Sequence, residues 1–450
     1  MKRRNFIKYG GLGLAGLGIT ACSNADIFSL NNGQKNDVNF GTLEKSNLIL
    51  GFVPNTDAAP LIVAQEKGFF ERYGLSVTLK RFNNWEGVKE EVLGWKMDAA
   101  QLPYAFPMMA QLGKESAPLI SLMTLNLNGS AITLTQKAWT GGIRPSVDYF
   151  NFADFEENIR RYWRNSNNPL QFAVESSLST ETYLTRYWLS SIGLIPTSEV
   201  EFLEFPASQM IYKLQAGIID GYSASSPWNQ QSVLEKAGFI SYISRDIWKG
   251  HPNKLLATME GWARKNPTTT KALMASLIEA CQYCDRPDNQ AEIATILAKP
   301  NYLNQESSLI ESTLTGNYVY SSETSSKYQK SIPDYNIFHH RKADYLGEND
   351  HANYPWRSHA IWMLTQMIRW HDLEIFDYPE DADKLLDKIY PLNLYEEVAQ
   401  ALNIKLPGDS MKKEGNTSFI DGQPFDPSNP VAYLNQFPIR ANSPRTFSFV

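Results

Sequence analysis

A chain of 450 residues, 43% hydrophobic and 12% aromatic, is long enough for two or three domains and can fill a substantial core. Its net charge of −6 argues against nucleic acid as a partner and against broad attraction of anions, so any selectivity for an anion has to be local. Beyond Cys22 the only cysteines are Cys281 and Cys284, and without a second ligand pair they read as plain helix residues rather than a zinc or redox motif.

Residues 1–22 read as a targeting segment. Lys2-Arg3-Arg4-Asn5-Phe6-Ile7-Lys8 resembles a twin-arginine export signal, and the Gly-rich apolar run at 9–20 is too short for a membrane span. Gly18-Ile19-Thr20-Ala21-Cys22 resembles a bacterial lipobox, which makes Cys22 the lipidated first residue of the mature protein; an ordinary signal peptide is the alternative. Polar, Asn-rich residues 23–46 then read as a flexible tether. No later stretch is apolar enough to span a bilayer.

An apolar run from Leu48 ends in Pro54-Asn55-Thr56-Asp57, and residues 58–70 read as a helix opening on Pro60. The unpaired N–H groups of such a strand-to-helix junction are a natural seat for a small anion. A strand at 75–82, a helix at 85–93 and a strand at 97–102 complete a βαβαβ pattern, which predicts a parallel sheet with a crevice beyond the carboxyl ends of its strands. Strands follow at 131–134, 170–174 and 200–206, with a polar helix at 152–164. Ser179-Thr180-Glu181-Thr182 caps a helix at 183–192 that ends on Gly193, and residues 266–298 are helical, with Leu273, Met274, Leu277, Ile278 and Cys281 on one stripe.

The six histidines form no His-x-x-x-His or His-Glu-x-x-His pair, and no Gly-x-Ser-x-Gly, P-loop or Gly-x-Gly-x-x-Gly occurs. Nothing indicates catalysis, and no cofactor or metal is expected. Most aromatic residues belong to the core, but Trp85 and Trp228 stand at the predicted crevice, where they either line a ligand or pack as core.

Glu66-Lys67-Gly68-Phe69-Phe70-Glu71-Arg72-Tyr73-Gly74-Leu75 resembles an element of periplasmic solute-binding proteins of the nitrate and bicarbonate type, a group that also includes binders of sulfonates and thiamine precursors. Asn84-Trp85 with Asp98-Ala99-Ala100, Arg186-Tyr187-Trp188-Leu189, and the run from Gln209 to Asn229 carry the resemblance onward. It continues through His251-Pro252-Asn253-Lys254, Asp285 to Asn289, Ala360 to Met367 and Asp421 to Pro427, and so covers nearly the whole chain after Ser46.

The resemblance implies an α/β, two-lobed periplasmic-binding-protein fold with a ligand cleft between the lobes and a long helical C-terminal extension. It places one lobe at 47–130, the second at 131–230, and the return to the first lobe with the extension at 231–450. Ligand contacts fall on Trp85, Ser130, Thr180, Glu181, Ser225, Trp228 and Lys254. Many relatives have a His, donating to the oxyanion, where this chain has Glu181; a carboxylate there repels an anion unless it is neutralised or turned away. Lys254 stands where the nitrate branch has a Lys and the calcium-using bicarbonate branch an acid, which implies a directly bound anion. The expected function is capture of a small anion, nitrate or nitrite first, for an ABC permease and ATPase. The protein would be held in the periplasm by a lipid anchor, with no nucleic acid and no catalytic role. Bicarbonate, cyanate or a small organic solute are alternative ligands; a sensor, or an enzyme resembling pyrimidine-precursor synthases of this fold, are alternative classes.

Overall fold

The alternation of strands and helices resolves into two separate sheets in a computed structural model, which describes residues 38–113, 116–164, 169–323, 325–340, 351–441 and 446–449. The predicted export signal, Cys22 and residues 23–37 of the tether lie outside the described residues. In chain order the strands are β1 (Asn47–Phe52), β2 (Ser76–Arg81), β3 (Ala99–Pro103), β4 (Leu119–Asn128), β5 (Ser130–Thr135), β6 (Leu170–Val174) and β7 (Val200–Glu204). They continue with β8 (Gly221–Ser225), β9 (Gly238–Ile243), β10 (Pro252–Met259), β11 (Asn317–Val319), β12 (Gln329–Ser331) and β13 (Asn336–Ile337).

The first sheet has the order β13-β4-β10-β3-β1-β2 and the second β7-β6-β8-β5-β9, while β11 and β12 form a small hairpin. β1 runs parallel to both β2 and β3, and β6 runs parallel to both β7 and β8. Each sheet therefore reverses its strand order beside one strand, and the carboxyl ends at such a reversal open into a crevice. The chain crosses to the second sheet between β4 and β5, where Asn128 and Gly129 both take positive φ, 61° and 92°. β9 pairs with β5, so the second sheet runs through Ile243 before β10 returns to the first.

Local chemistry explains where the elements start and stop. The helix Trp85–Leu93 is capped by Asn84, whose Oδ1 accepts the Gly87 amide at 3.0 Å. The single helix expected over 58–70 is broken: a 3-10 turn at Thr56–Ala58 leads into Ala59–Glu66, and Gly68, at φ 72°, stops it before Phe69–Arg72. Glycine takes the left-handed conformation without Cβ strain, which the helical pattern alone does not register. The stretch 266–298 divides likewise into Pro267–Cys284 and Gln290–Leu297, with Pro287 opening a 3-10 turn between them.

The C-terminal extension is mostly helical and fastens to both halves. Its helix Arg357–Trp370 buries Trp362 against Trp248 at 4.3 Å between ring centroids, and Trp362 Nε1 donates to Tyr433 Oη at 3.0 Å. Asp372 pairs with Arg186 at 2.6 Å and Asp421 accepts from Tyr187 Oη at 2.9 Å, both on the helix Thr180–Ser191 that follows β6. Tyr390 Oη donates to the carbonyl of Tyr104, just beyond β3, at 3.1 Å. Asn39–Val450 form one compact unit, and no helix among the described residues is long and apolar enough to cross a membrane.

Candidate functional site

The carboxyl ends of the two reversals face each other, and polar side chains from both sheets meet there. Lys254 enters from β10, in the middle of the first sheet, paired with Pro103 of β3 and Asn126 of β4. Its side chain is fully buried. The ammonium lies 2.6 Å from Glu181 Oε1, 2.8 Å from Asn253 Oδ1, 3.0 Å from Ser225 Oγ and 3.2 Å from Asp57 Oδ2. An ammonium has three protons, so four internal oxygens account for all of them. The Trp85 ring closes the remaining side, its centroid 5.4 Å from Nζ.

A second buried acid, Glu175, directly follows β6. Its Oε2 accepts from Asn55 Nδ2 at 2.9 Å and Trp85 Nε1 at 3.0 Å, and its Oε1 accepts the Ser225 amide at 3.0 Å. Asp57 Oδ1 accepts from Gln101 Nε2 at 2.7 Å. Two carboxyl groups, Asp57 and Glu181, thus contact one ammonium away from solvent, and the buried Glu175 is near enough to feel its charge. Burial raises the Glu175 carboxyl to about 7, helped by the charge of Glu181 and opposed by Lys254. Burial likewise raises Asp57 despite Lys254. Burial also acts to raise Glu181, but the Lys254 charge and the hydrogen bonds from Lys254 and Ser225 outweigh it and hold this carboxyl below its usual range. His251, buried beside the group, is pushed down to about 4 and is neutral.

Lys254, Glu181, Ser225 and Trp85 therefore meet in one cluster. Thr180 Oγ1 donates to the Asn253 carbonyl at 3.3 Å, and Trp228 Nε1 donates to Asn55 Oδ1 at 2.8 Å, so both stand at its edge. Ser130 pairs with Ser225 across β5 and β8, which puts the two side chains on the same face. Ser179 Oγ accepts the Thr182 amide at 3.2 Å, so the helix is capped by Ser179 and the Glu181 carboxylate turns to Lys254 instead.

Two features differ from the sequence expectation. The junction after β1 is not an open anion seat: the amides of Asn55, Thr56 and Ala58 donate to the carbonyls of Val53, Ser226 and Asn55, and the side chain of Asp57 joins the cluster. Pattern reasoning also passed over Asn55, Asp57, Gln101, Glu175 and Asn253. Their signal was positional, since Gln101 lies near the carboxyl end of β3 and Asn55, Asp57 and Glu175 just beyond the carboxyl ends of β1 and β6.

The sequence pattern of the NMT1-like family matches residues 41–298, more than half of the chain. The chain belongs to the NMT1-like family. This NMT1-like chain is 29% identical over 408 residues to the nitrate/nitrite binding protein NrtA of Nostoc sp., covering 88% of the chain and 87% of that relative. It is 33% identical over 404 residues to the bicarbonate transport ATP-binding protein CmpC of Synechocystis sp., covering 89% of the chain but 56% of that relative. The chain thus spans little more than half the length of the first curated relatives it matches. The crystal structure of the periplasmic nitrate-binding protein NrtA from Synechocystis superposes with a TM-score of 0.78 at 27% identity, covering 88% of this chain and all of that one. The NMT1-like chain therefore has the two-lobed periplasmic-binding-protein fold, of the type found in nitrate- and bicarbonate-binding proteins.

Proposed function

We propose that the chain is the solute-binding component of an ABC importer and that it captures one small solute between its lobes, at the cluster of Lys254, Glu181 and Ser225. The observation that carries this reading is the fully buried Lys254, on the first sheet, held by Glu181 and Ser225 of the second. A charge placed across the joint between two lobes acts at low dielectric only while they are closed, so it can couple solute capture to closure. Trp85, Ser130, Thr180 and Trp228 complete the proposed walls. The first lobe is built on 47–130 and the returning chain, the second on 131–230.

Relatives named for nitrate, nitrite and bicarbonate make a small inorganic anion, nitrate or nitrite first, the solute that resemblance favours. Such an anion has to take the place of an internal carboxylate on Lys254. Bicarbonate, cyanate or a small organic solute is the second reading, and the excess of carboxyl groups over cations in the cluster favours, among these, a solute that carries its own hydrogen-bond donor. The relatives' transport names support a permease and an ATPase as partners and a periplasmic location. The lipobox-like Cys22 supports a lipid anchor on the membrane.

Calorimetry of the chain against nitrate, nitrite, cyanate, bicarbonate and small organic solutes tests the reading. One-to-one binding is expected; an anion should be weakened well over tenfold by Lys254→Ala, since removing a charged partner from a closed site costs about 2–5 kcal/mol, and any other solute seated at the cluster should also change in affinity. Unchanged affinity in a Lys254→Ala protein with native circular dichroism would put the solute elsewhere.

A further inference from the structure

We propose that the head group of the solute is a nitrogen cation bearing N–H donors, an ammonium or amidinium, seated against Glu181 and Glu175, rather than a bare oxyanion. This rests on the solute-binding reading above and narrows its ligand. The argument starts from how the cluster's charge divides between the sheets. Lys254 and Asp57 belong to the first sheet and its β1 junction, and they cancel. Glu175 and Glu181 both belong to the second sheet and the helix after β6, where the cluster has no cation to match them. When the lobes part, Lys254 leaves with one half and two acids remain on the other. A cation arriving in the cleft meets those acids; an anion meets their repulsion.

Hydrogen-bonding capacity points the same way. The ammonium of Lys254 and the indole N–H of Trp85 are spent on oxygens within the cluster, and the side-chain amides of Asn55, Gln101 and Asn253 each already donate to an oxygen there. A buried carboxylate oxygen is nevertheless left over. Glu181 Oε2, on a residue 1% exposed, has no hydrogen-bond partner among the described residues, nor have Gln101 Oε1 and Ser130 Oγ, both on fully buried residues. A buried carboxylate oxygen without a donor is costly, and an entering N–H supplies that donor. A bare oxyanion brings only further acceptors. The Trp85 face, which already takes the Lys254 ammonium at 5.4 Å, suits a second nitrogen cation as well.

Asp57 and Glu181 stand at N–H···O distances from the Lys254 ammonium. Among the described residues no group of three or more His, Cys, Asp or Glu side chains is placed to hold a metal ion. The charged groups acting on Glu175 are Glu181, Asp57 and Lys254, and neutral His251 lies within the field of Glu181 and Lys254. Glu175, raised to about 7, then carries a proton over much of the neutral range, and a cation would expel it.

The test is calorimetry, with tryptophan fluorescence as a second readout, on the whole chain. The probes are methylammonium, acetamidinium and guanidinium chlorides beside sodium nitrate, nitrite and bicarbonate, at constant ionic strength. At least one nitrogen cation should bind one-to-one, with affinity rising about tenfold from about pH 6 to about pH 8 as the Glu175 proton is lost. Glu181→Gln should weaken that binding roughly tenfold or more and give nitrate an affinity it lacks in the parent, because one Lys254 proton is freed and a negative charge removed. Binding of an anion, with affinity rising as pH falls and no response to the cations, overturns the proposal and leaves the solute-binding reading standing. Cation binding that is indifferent to both Glu181→Gln and pH overturns it too. Silence from probes of both signs overturns the proposal, while the solute-binding reading falls only if the wider panel of solutes above is silent as well.

Discussion

Lys254→Met should cost the fold about 3–5 kcal/mol near pH 8, and much less near pH 5. Methionine keeps most of the aliphatic volume, so the change removes a charge rather than opening a cavity. The ammonium attracts Glu181 Oε1 across 2.6 Å and Asp57 Oδ2 across 3.2 Å. At an effective dielectric near 20 those separations correspond to about 6 and about 5 kcal/mol of gross attraction. Desolvation of the buried ammonium offsets a large part, which brings the net loss down to the range quoted. The pH dependence follows from the carboxyls left behind. Without Lys254, only the Ser225 hydrogen bond and, for Glu181, a backbone hydrogen bond still oppose burial, which then lifts Asp57 and Glu181 above their ordinary values of 3.8 and 4.5. A carboxyl raised in the folded state contributes stability that is present below its unfolded pKa and lost as pH rises through the folded one. Urea unfolding followed by circular dichroism at both pH values measures the effect. A variant as stable as the parent at pH 8, or one weakened equally at both, would refute the buried charge network as the source of the coupling.

In the parent protein, Glu175 is raised from 4.5 to about 7, so its contribution to stability, about 3 kcal/mol, should be lost as pH rises from 4.5 through 7. Glu175→Gln should flatten that slope, and urea midpoints across the range will show whether it does. Gly221→Ala should destabilise by about 1–3 kcal/mol. A Cβ at Gly221 would stand 2.6 Å from the Phe172 ring and 2.9 Å from the Thr133 carbonyl, between β6 and β5; a melting temperature equal to the parent's would count against that packing. Cys22→Ser should move the protein from the membrane fraction to the soluble periplasmic extract, because acyl chains would attach to that sulfur; continued pelleting with membranes would defeat the lipobox reading.

Much of the architecture was legible in the sequence, because local chemistry decides it. The apolar runs at 48–53 and 170–174, Asn84 before Trp85, Ser179 before the helix and the glycine at 193 each act within a few residues, and the helix Trp85–Leu93 and strand Leu170–Val174 form where they were expected. The helix expected across 58–70 stopped at Gly68, where a single left-handed residue outweighs an apolar pattern that continues through it. The site is another matter. Lys254 and Glu181 were singled out by resemblance, but their contact, and those of Lys254 with Asp57 and Asn253, could not be read from spacing, since Asp57, Glu175, Glu181 and Lys254 arrive from four different stretches of two sheets. A charge in a sequence has no environment. Only the packing of β10 against β3 and β4, with the β6 and β8 ends set opposite, removes water from these groups and gives Lys254 an internal carboxylate at 2.6 Å, where sequence reasoning had placed a free anion.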